Sequence, residues 1–222
     1  GRAKTVGVTG SAGVGKSTLS NALAREQRAR GRTVGIVAVD PSSPFSHGAI
    51  LGDRIRMQEL TSDDGVFLRS MASRGSLGGL SETSTGVVDV LDAAGYDIVL
   101  LETVGAGQDE VEVATATQTT VLVTAPSAGD DVQAMKAGLM EIAQVMVINK
   151  ADLAGADTTQ AQLRSLLSLA SGRSWKPPIV QTIARAGDGV IDLIDAIDEH
   201  HDYSRNSEHA AEERRALARA SP

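Results

Sequence analysis

Cysteine is absent from the 222 residues, which excludes both a disulfide framework and a thiolate metal site. Aromatic residues make up 2% of the chain against 41% hydrophobic residues overall, so the interior must be built from Val, Leu, Ile and Ala. Trp175 is the only tryptophan. The histidines are His47, His200, His201 and His209, and without cysteine they cannot form a Cys/His metal relay. Positive charge is in deficit, with a formal net charge of -7, which argues against broad affinity for nucleic acid or anionic lipid. No apolar run approaches the ~20 residues of a membrane span. A cytoplasmic protein with neither nucleic-acid nor membrane partners is the expectation. The chain opens on Gly1 rather than Met, with strand-like sequence by Thr5, so an N-terminal extension is expected to precede it in the whole protein.

What is present is an alternation. The runs TVGVT, TVGIVAVD, VFLR, YDIVLLE, TTVLVTA, VMVINK and PPIVQT read as strands, and longer amphipathic or Ala-rich stretches separate them. Ile98 to Leu101 is apolar on both faces, as suits a central parallel strand covered on two sides. The expected fold is therefore α/β, a doubly wound and mainly parallel sheet flanked by helices. Helices are expected after the first strand, stopping at Gly31, and over Ser81 to Ala94. His200-His201 reads as a helix end. Residues 1–202 read as one domain, and 203–222 as a charged C-terminal tail or solvated helix.

The stretch GSAGVGKST, Gly10 to Thr18, fits G-x-x-x-x-G-K-[ST] with a strand before it and a helix after it. In such a loop the backbone N–H groups of Gly13, Val14, Gly15, Lys16, Ser17 and Thr18 surround phosphate oxygens, Lys16 adds a point charge, and the helix N-terminus adds its dipole. Ser17 would ligate Mg²⁺, which takes six oxygen ligands and needs carboxylates besides. Asp40 and Glu102 end strands, where open α/β sheets bind ligands; Asp53 lies in the loop after Asp40. Taken singly, each of these acids reads as well as a capping or solvated carboxylate. Strand-end placement favours the metal reading for Asp40 and Glu102 more than for Asp53.

The strand VMVINK runs into Asn149, Lys150, Ala151 and Asp152. A carboxylate at the fourth position can accept two hydrogen bonds from the N1–H and exocyclic amine of guanine, a pair adenine does not offer. The Lys150 stem can cover the base, and Asn149 can tie this loop to the phosphate loop. An Asn-capped turn would explain the tetrapeptide alone; its order after a phosphate loop favours GTP over ATP. Thr182, Ile183 and Ala184 end the last strand, where the Ala184 N–H could meet guanine O6.

The segments VDPSSPFSHGAILGDRIRM, RGSLGGLSETS, ETVGAGQDEVEV, APSAGDDVQAMKAG and NKADLAGA together closely resemble the methylmalonyl-CoA mutase-associated GTPases of the MeaB/ArgK type, from about Lys4 to about His200. These belong to the signal-recognition-like class of P-loop GTPases. The resemblance implies a GTPase chaperone that gates adenosylcobalamin loading and repair of a cobalamin-dependent acyl-CoA mutase, binding GTP or GDP with Mg²⁺. It implies Mg²⁺ contacts at Ser17, Asp40, Asp53 and Glu102, hydrolytic roles for Lys16, Glu102 and Lys136, and a coupling segment at GDDVQAMK in which Asp130, Gln133 and Lys136 respond to the mutase. A cobalamin adenosyltransferase and a second copy of the chain are further implied partners. Spacing alone puts Gln133 and Lys136 on one face of a helix starting near Asp131, which without the resemblance reads as an ordinary surface helix. His47 departs from the family's usual glycine. Gln108 is a candidate for orienting water, and Arg56, Arg69 and Arg74 for meeting transition-state charge. Two alternatives are a nickel-insertion metallochaperone GTPase and a nucleotide-binding interaction module without turnover.

Overall fold

A computed structural model describes residues 3–40, 60, 62–72, 82–103, 109–126, 141–169 and 174–206. Among them, β-branched runs form seven strands: β1 (Lys4–Thr9), β2 (Val34–Asp40), β3 (Val66–Ala72), β4 (Ile98–Thr103), β5 (Thr119–Thr124), β6 (Val145–Asn149) and β7 (Ile179–Thr182). They make one sheet in the order β3-β2-β4-β1-β5-β6-β7, every neighbouring pair parallel. Residues of β4, β5 and β6 are buried throughout, as expected where helices cover both faces.

The described helices are α1 (Lys16–Ala29), α2 (Glu82–Ala93), α3 (Asp109–Ala116), α4 (Ala156–Leu169) and α5 (Val190–Asn206). In α1, Leu19, Leu23 and Ala24 are buried, the 3.6-residue stripe that faces a core. The helix stops as expected at Gly31, whose φ of 76° lets its N–H reach the Arg28 carbonyl at 2.9 Å. Val190, Leu193, Ile194 and Ile197 give α5 its buried stripe. Helices α1 and α5 pack on one face of the sheet around Val6, Val8, Leu100 and Val123. On the other, α2 and α3 bury Val88, Leu91 and Val113 against Val37, Val99 and Leu101, and α4 buries Leu163 beside Met146 and Ile148.

One expectation differs from the structure. Helix α5 runs on to Asn206, and His200 and His201 lie inside it as buried residues rather than at its end. The cause is Trp175. Its ring sits 5.0 Å from that of His200 and 4.9 Å from that of Tyr203, and its Nε1 donates to the Gln144 carbonyl at 2.7 Å. This apolar wall extends the helix's buried stripe by about two turns beyond its last aliphatic residue. The tail from residue 207 on lies outside the described residues.

His200 carries a pH prediction. Its Nδ1 is 2.8 Å from the Thr119 hydroxyl, and burial, with His201 adding charge beside it, pushes its pKa down to about 4. His201, facing Lys4, Arg205, Asp198 and Asp202, is also lowered, first by burial. A depressed imidazole pKa stabilises the fold above the unfolded value near 6.5, and this contribution is lost as pH falls towards 4. For His200 the loss is about 3 kcal/mol. Thermal unfolding followed from pH 7 to 4 is expected to show a steeper decline for the wild type than for His200→Gln; parallel curves would contradict it.

Candidate nucleotide site

The C-terminal ends of β4, β1 and β5 converge where the strand order turns from one side of β1 to the other, the place open α/β sheets hold ligands. The phosphate loop leaves β1 there, and two of its glycines, Gly10 and Gly15, are required by space as well as by φ. Gly10 has φ 138°, and a Cβ on it would run into the Val123 carbonyl of β5. Gly15 has φ 96°, and a Cβ on it would lie 2.5 Å from Asn149 Nδ2. Any side chain would push the loop off the strands that carry it.

Lys16 opens α1 and is 7% exposed. Its Nζ donates to the Gly10 carbonyl at 2.7 Å and the Ser11 carbonyl at 3.0 Å, so the ammonium lies along the loop. Beside it the Ser17 hydroxyl donates to Glu102 Oε1 at 2.6 Å, and Glu102 is 4% exposed. A hydroxyl and a buried carboxylate at a helix N-terminus form a hard oxygen donor set, and these residues fit Mg²⁺. Val39 of β2 pairs with Thr103 of β4, which puts the backbone of Asp40 at the same end of the sheet. Asp53 lies outside the described residues, as do Asp130, Gln133, Lys136, Gln108, Arg56 and Arg74. Arg69 is exposed within β3.

The base loop joins this cradle through Asn149, which is 2% exposed. Its Nδ2 donates to the Val14 carbonyl at 2.9 Å, the tie between loops that the sequence suggested. Its Oδ1 accepts from the Thr182 hydroxyl and the Ala184 N–H, both at 3.1 Å. One amide therefore fixes the phosphate loop, the end of β6 and the turn after β7. The Ala184 N–H, expected to meet guanine O6, is turned to Asn149 in this structure. Lys150 has φ 59°, a left-handed conformation uncommon outside glycine, and its Nζ donates to the Gly13 carbonyl at 2.8 Å. Asp152 follows in the turn and is exposed.

Thr182 was noted in the sequence only for its place at a strand end; its role as a partner of Asn149 was not. Nor was a hydrogen bond between the hydroxyls of Thr103 and Thr9 at 3.2 Å. A threonine in a strand reads simply as a β-former, so only strand pairing reveals either.

The family model for methylmalonyl-CoA mutase-associated GTPase MeaB matches residues 1–221. The chain belongs to this family. A protein of Pyrococcus abyssi provisionally named a GTPase is 51% identical over 219 residues, covering 97% of this chain and 68% of that relative. The mitochondrial methylmalonic aciduria type A homolog of Mus musculus is 37% identical over 212 residues, 93% of this chain and 51% of its own length. Among solved structures, one described as LAO/AO transport system kinase superposes with a TM-score of 0.77 at 28% identity, covering 98% of this chain and 65% of that one. The family is one of GTPases, so guanine-nucleotide binding and GTP hydrolysis are the general activity its name carries.

Proposed function

We propose that the chain is the GTP-binding and hydrolysing part of a chaperone that gates adenosylcobalamin loading and repair of a cobalamin-dependent acyl-CoA mutase. Membership of a family named for its association with methylmalonyl-CoA mutase, over residues 1–221, is the observation that carries the reading. The Asn149 amide between base loop and phosphate loop supports the nucleotide half of it.

Phosphoryl transfer to water asks the protein mainly to position the triphosphate and to neutralise charge. Lys16 supplies a cation that can exchange the loop carbonyls for phosphate oxygens. The backbone N–H groups from Gly13 to Thr18 orient those oxygens, and Asp152 reads the guanine edge while Asn149 holds its loop. Ser17 and Glu102, with Asp40 and Asp53, would hold Mg²⁺, which when bound neutralises charge on the phosphates. Asp130, Gln133 and Lys136 would carry the response to the mutase. Turnover is slow alone and accelerated by the partner, because the useful output is a switch in conformation. The whole protein acts in the cytoplasm, as a homodimer, with a cobalamin adenosyltransferase as a further partner.

The test is phosphate release from GTP and from ATP by the purified chain, alone and with a panel of cobalamin-dependent acyl-CoA mutases. Release from GTP only, raised by one mutase, is the expected result. GTP turnover indifferent to every mutase would remove the partner assignment; equal turnover of ATP would remove the base assignment.

A further inference from the structure

Strands β1 and β4 run parallel with Val8 opposite Glu102, so the next residues along, Thr9 and Thr103, close the two strands side by side. Both are buried, at 0% and 1% exposure. The Thr103 hydroxyl donates to that of Thr9 at 3.2 Å. Each lies next to a residue of the nucleotide site: Gly10, which follows Thr9, begins the phosphate loop, and Glu102, which precedes Thr103, accepts from the Ser17 hydroxyl.

The two faces of β4 divide the labour. Leu100 packs with α1 and α5, and Glu102, two residues on, points to the same side and receives the Ser17 hydroxyl. Leu101 packs with α2 and α3, and Thr103 shares that face. A buried hydroxyl is costly unless bonded, and valine would serve a strand equally well there. Two threonines meeting at the one point where both loops depart are therefore not explained by strand formation. A bond between the hydroxyls fixes the offset between the two departing chains, where a pair of valines would leave only packing.

We propose that Thr9 and Thr103 are positioning residues for hydrolysis: their hydroxyl bond holds the end of β4, and with it Glu102 against Ser17, at a fixed offset from the start of the phosphate loop. The proposal rests on the GTP-hydrolysis reading above. The pair is buried and acts through the ends of the two strands that carry it. Its loss should therefore lower turnover while leaving the cradle, and so nucleotide affinity, intact.

The experiment compares the wild-type chain with Thr103→Val, Thr9→Val, the double valine variant and Thr103→Ser. It reads phosphate release under saturating GTP, the dissociation constant of a fluorescent GDP analogue, and thermal unfolding. Thr103→Val is expected to lower kcat by about tenfold, the effect of roughly one misplaced hydrogen-bonded contact, with GDP affinity unchanged. Thr103→Ser, which keeps the hydroxyl, restores turnover. The double variant is no slower than either single one, because both remove the same bond. A purely structural role would lower thermal stability and leave kcat of the folded fraction unchanged, and that result overturns the proposal. So does a Thr103→Ser variant as slow as Thr103→Val. If Thr103→Val fails to fold, Thr9→Val against wild type decides on the same kcat criterion. A wild-type chain that binds GDP but releases no phosphate from GTP overturns the hydrolysis reading and this proposal together; a hydrolysing wild type with an equally fast Thr103→Val overturns this proposal alone.

Discussion

Asn149→Ala is expected to cost both stability and nucleotide affinity. The amide is 2% exposed and bonds the Val14 carbonyl, the Thr182 hydroxyl and the Ala184 N–H. Alanine strands all three partners in a buried setting, at about 1–3 kcal/mol for each that water does not reach. Some will be rescued by water entering the space the amide leaves. A net loss of roughly 3 kcal/mol lowers the melting temperature by about 6–12 °C in a domain of this size. The phosphate loop also loses its tie to the base loop, so GDP affinity should fall by at least about tenfold, the effect of 1.4 kcal/mol. Thermal unfolding and titration of a fluorescent GDP analogue check the two effects separately. A lowered melting temperature with unchanged affinity would make Asn149 a core residue and nothing more.

Lys16→Ala separates the same two quantities in the opposite way. The ammonium rests on the Gly10 and Ser11 carbonyls at 2.7 and 3.0 Å, in a loop whose other atoms are held by β5 and Asn149. Alanine frees carbonyls that water at the loop can reach, so the melting temperature should move by only a few degrees. The loss falls on the triphosphate. A charge-assisted bond to phosphate is worth about 1.5–3 kcal/mol, which at the upper end is about a hundredfold in affinity. GTP affinity should therefore drop by about that factor, and hydrolysis should fall below detection because the cation also meets the charge that develops in transfer. Titration with a non-hydrolysable GTP analogue, beside the melting curve, checks this. Unchanged affinity would mean that Lys16 stays on its carbonyls when nucleotide binds.

The sequence by itself determined the elements and the motifs. Runs such as Ile98 to Leu101 are apolar on both faces, as suits central strands; Leu19, Leu23 and Ala24 recur at the spacing of one helix face. The phosphate loop and Asn149-Lys150-Ala151-Asp152 are likewise contiguous, so their chemistry is written in adjacent letters. Even the bond from Asn149 to the phosphate loop was legible, because two motifs that serve one nucleotide must lie together.

The tertiary structure decided which distant residues meet. Thr9 and Thr103 are 94 residues apart, Thr119 and His200 are 81 apart, and Asn149 and Thr182 are 33 apart. Periodicity fixes local conformation and buried face but is blind to strand order and register. Setting β1 between β4 and β5 brought the ends of β1 and β4 side by side, and packing Trp175 against α5 turned an apparent helix end at His200 into buried core. Pairs of this kind are properties of the assembled sheet, since the threonines and the histidine in them read alone as ordinary ones.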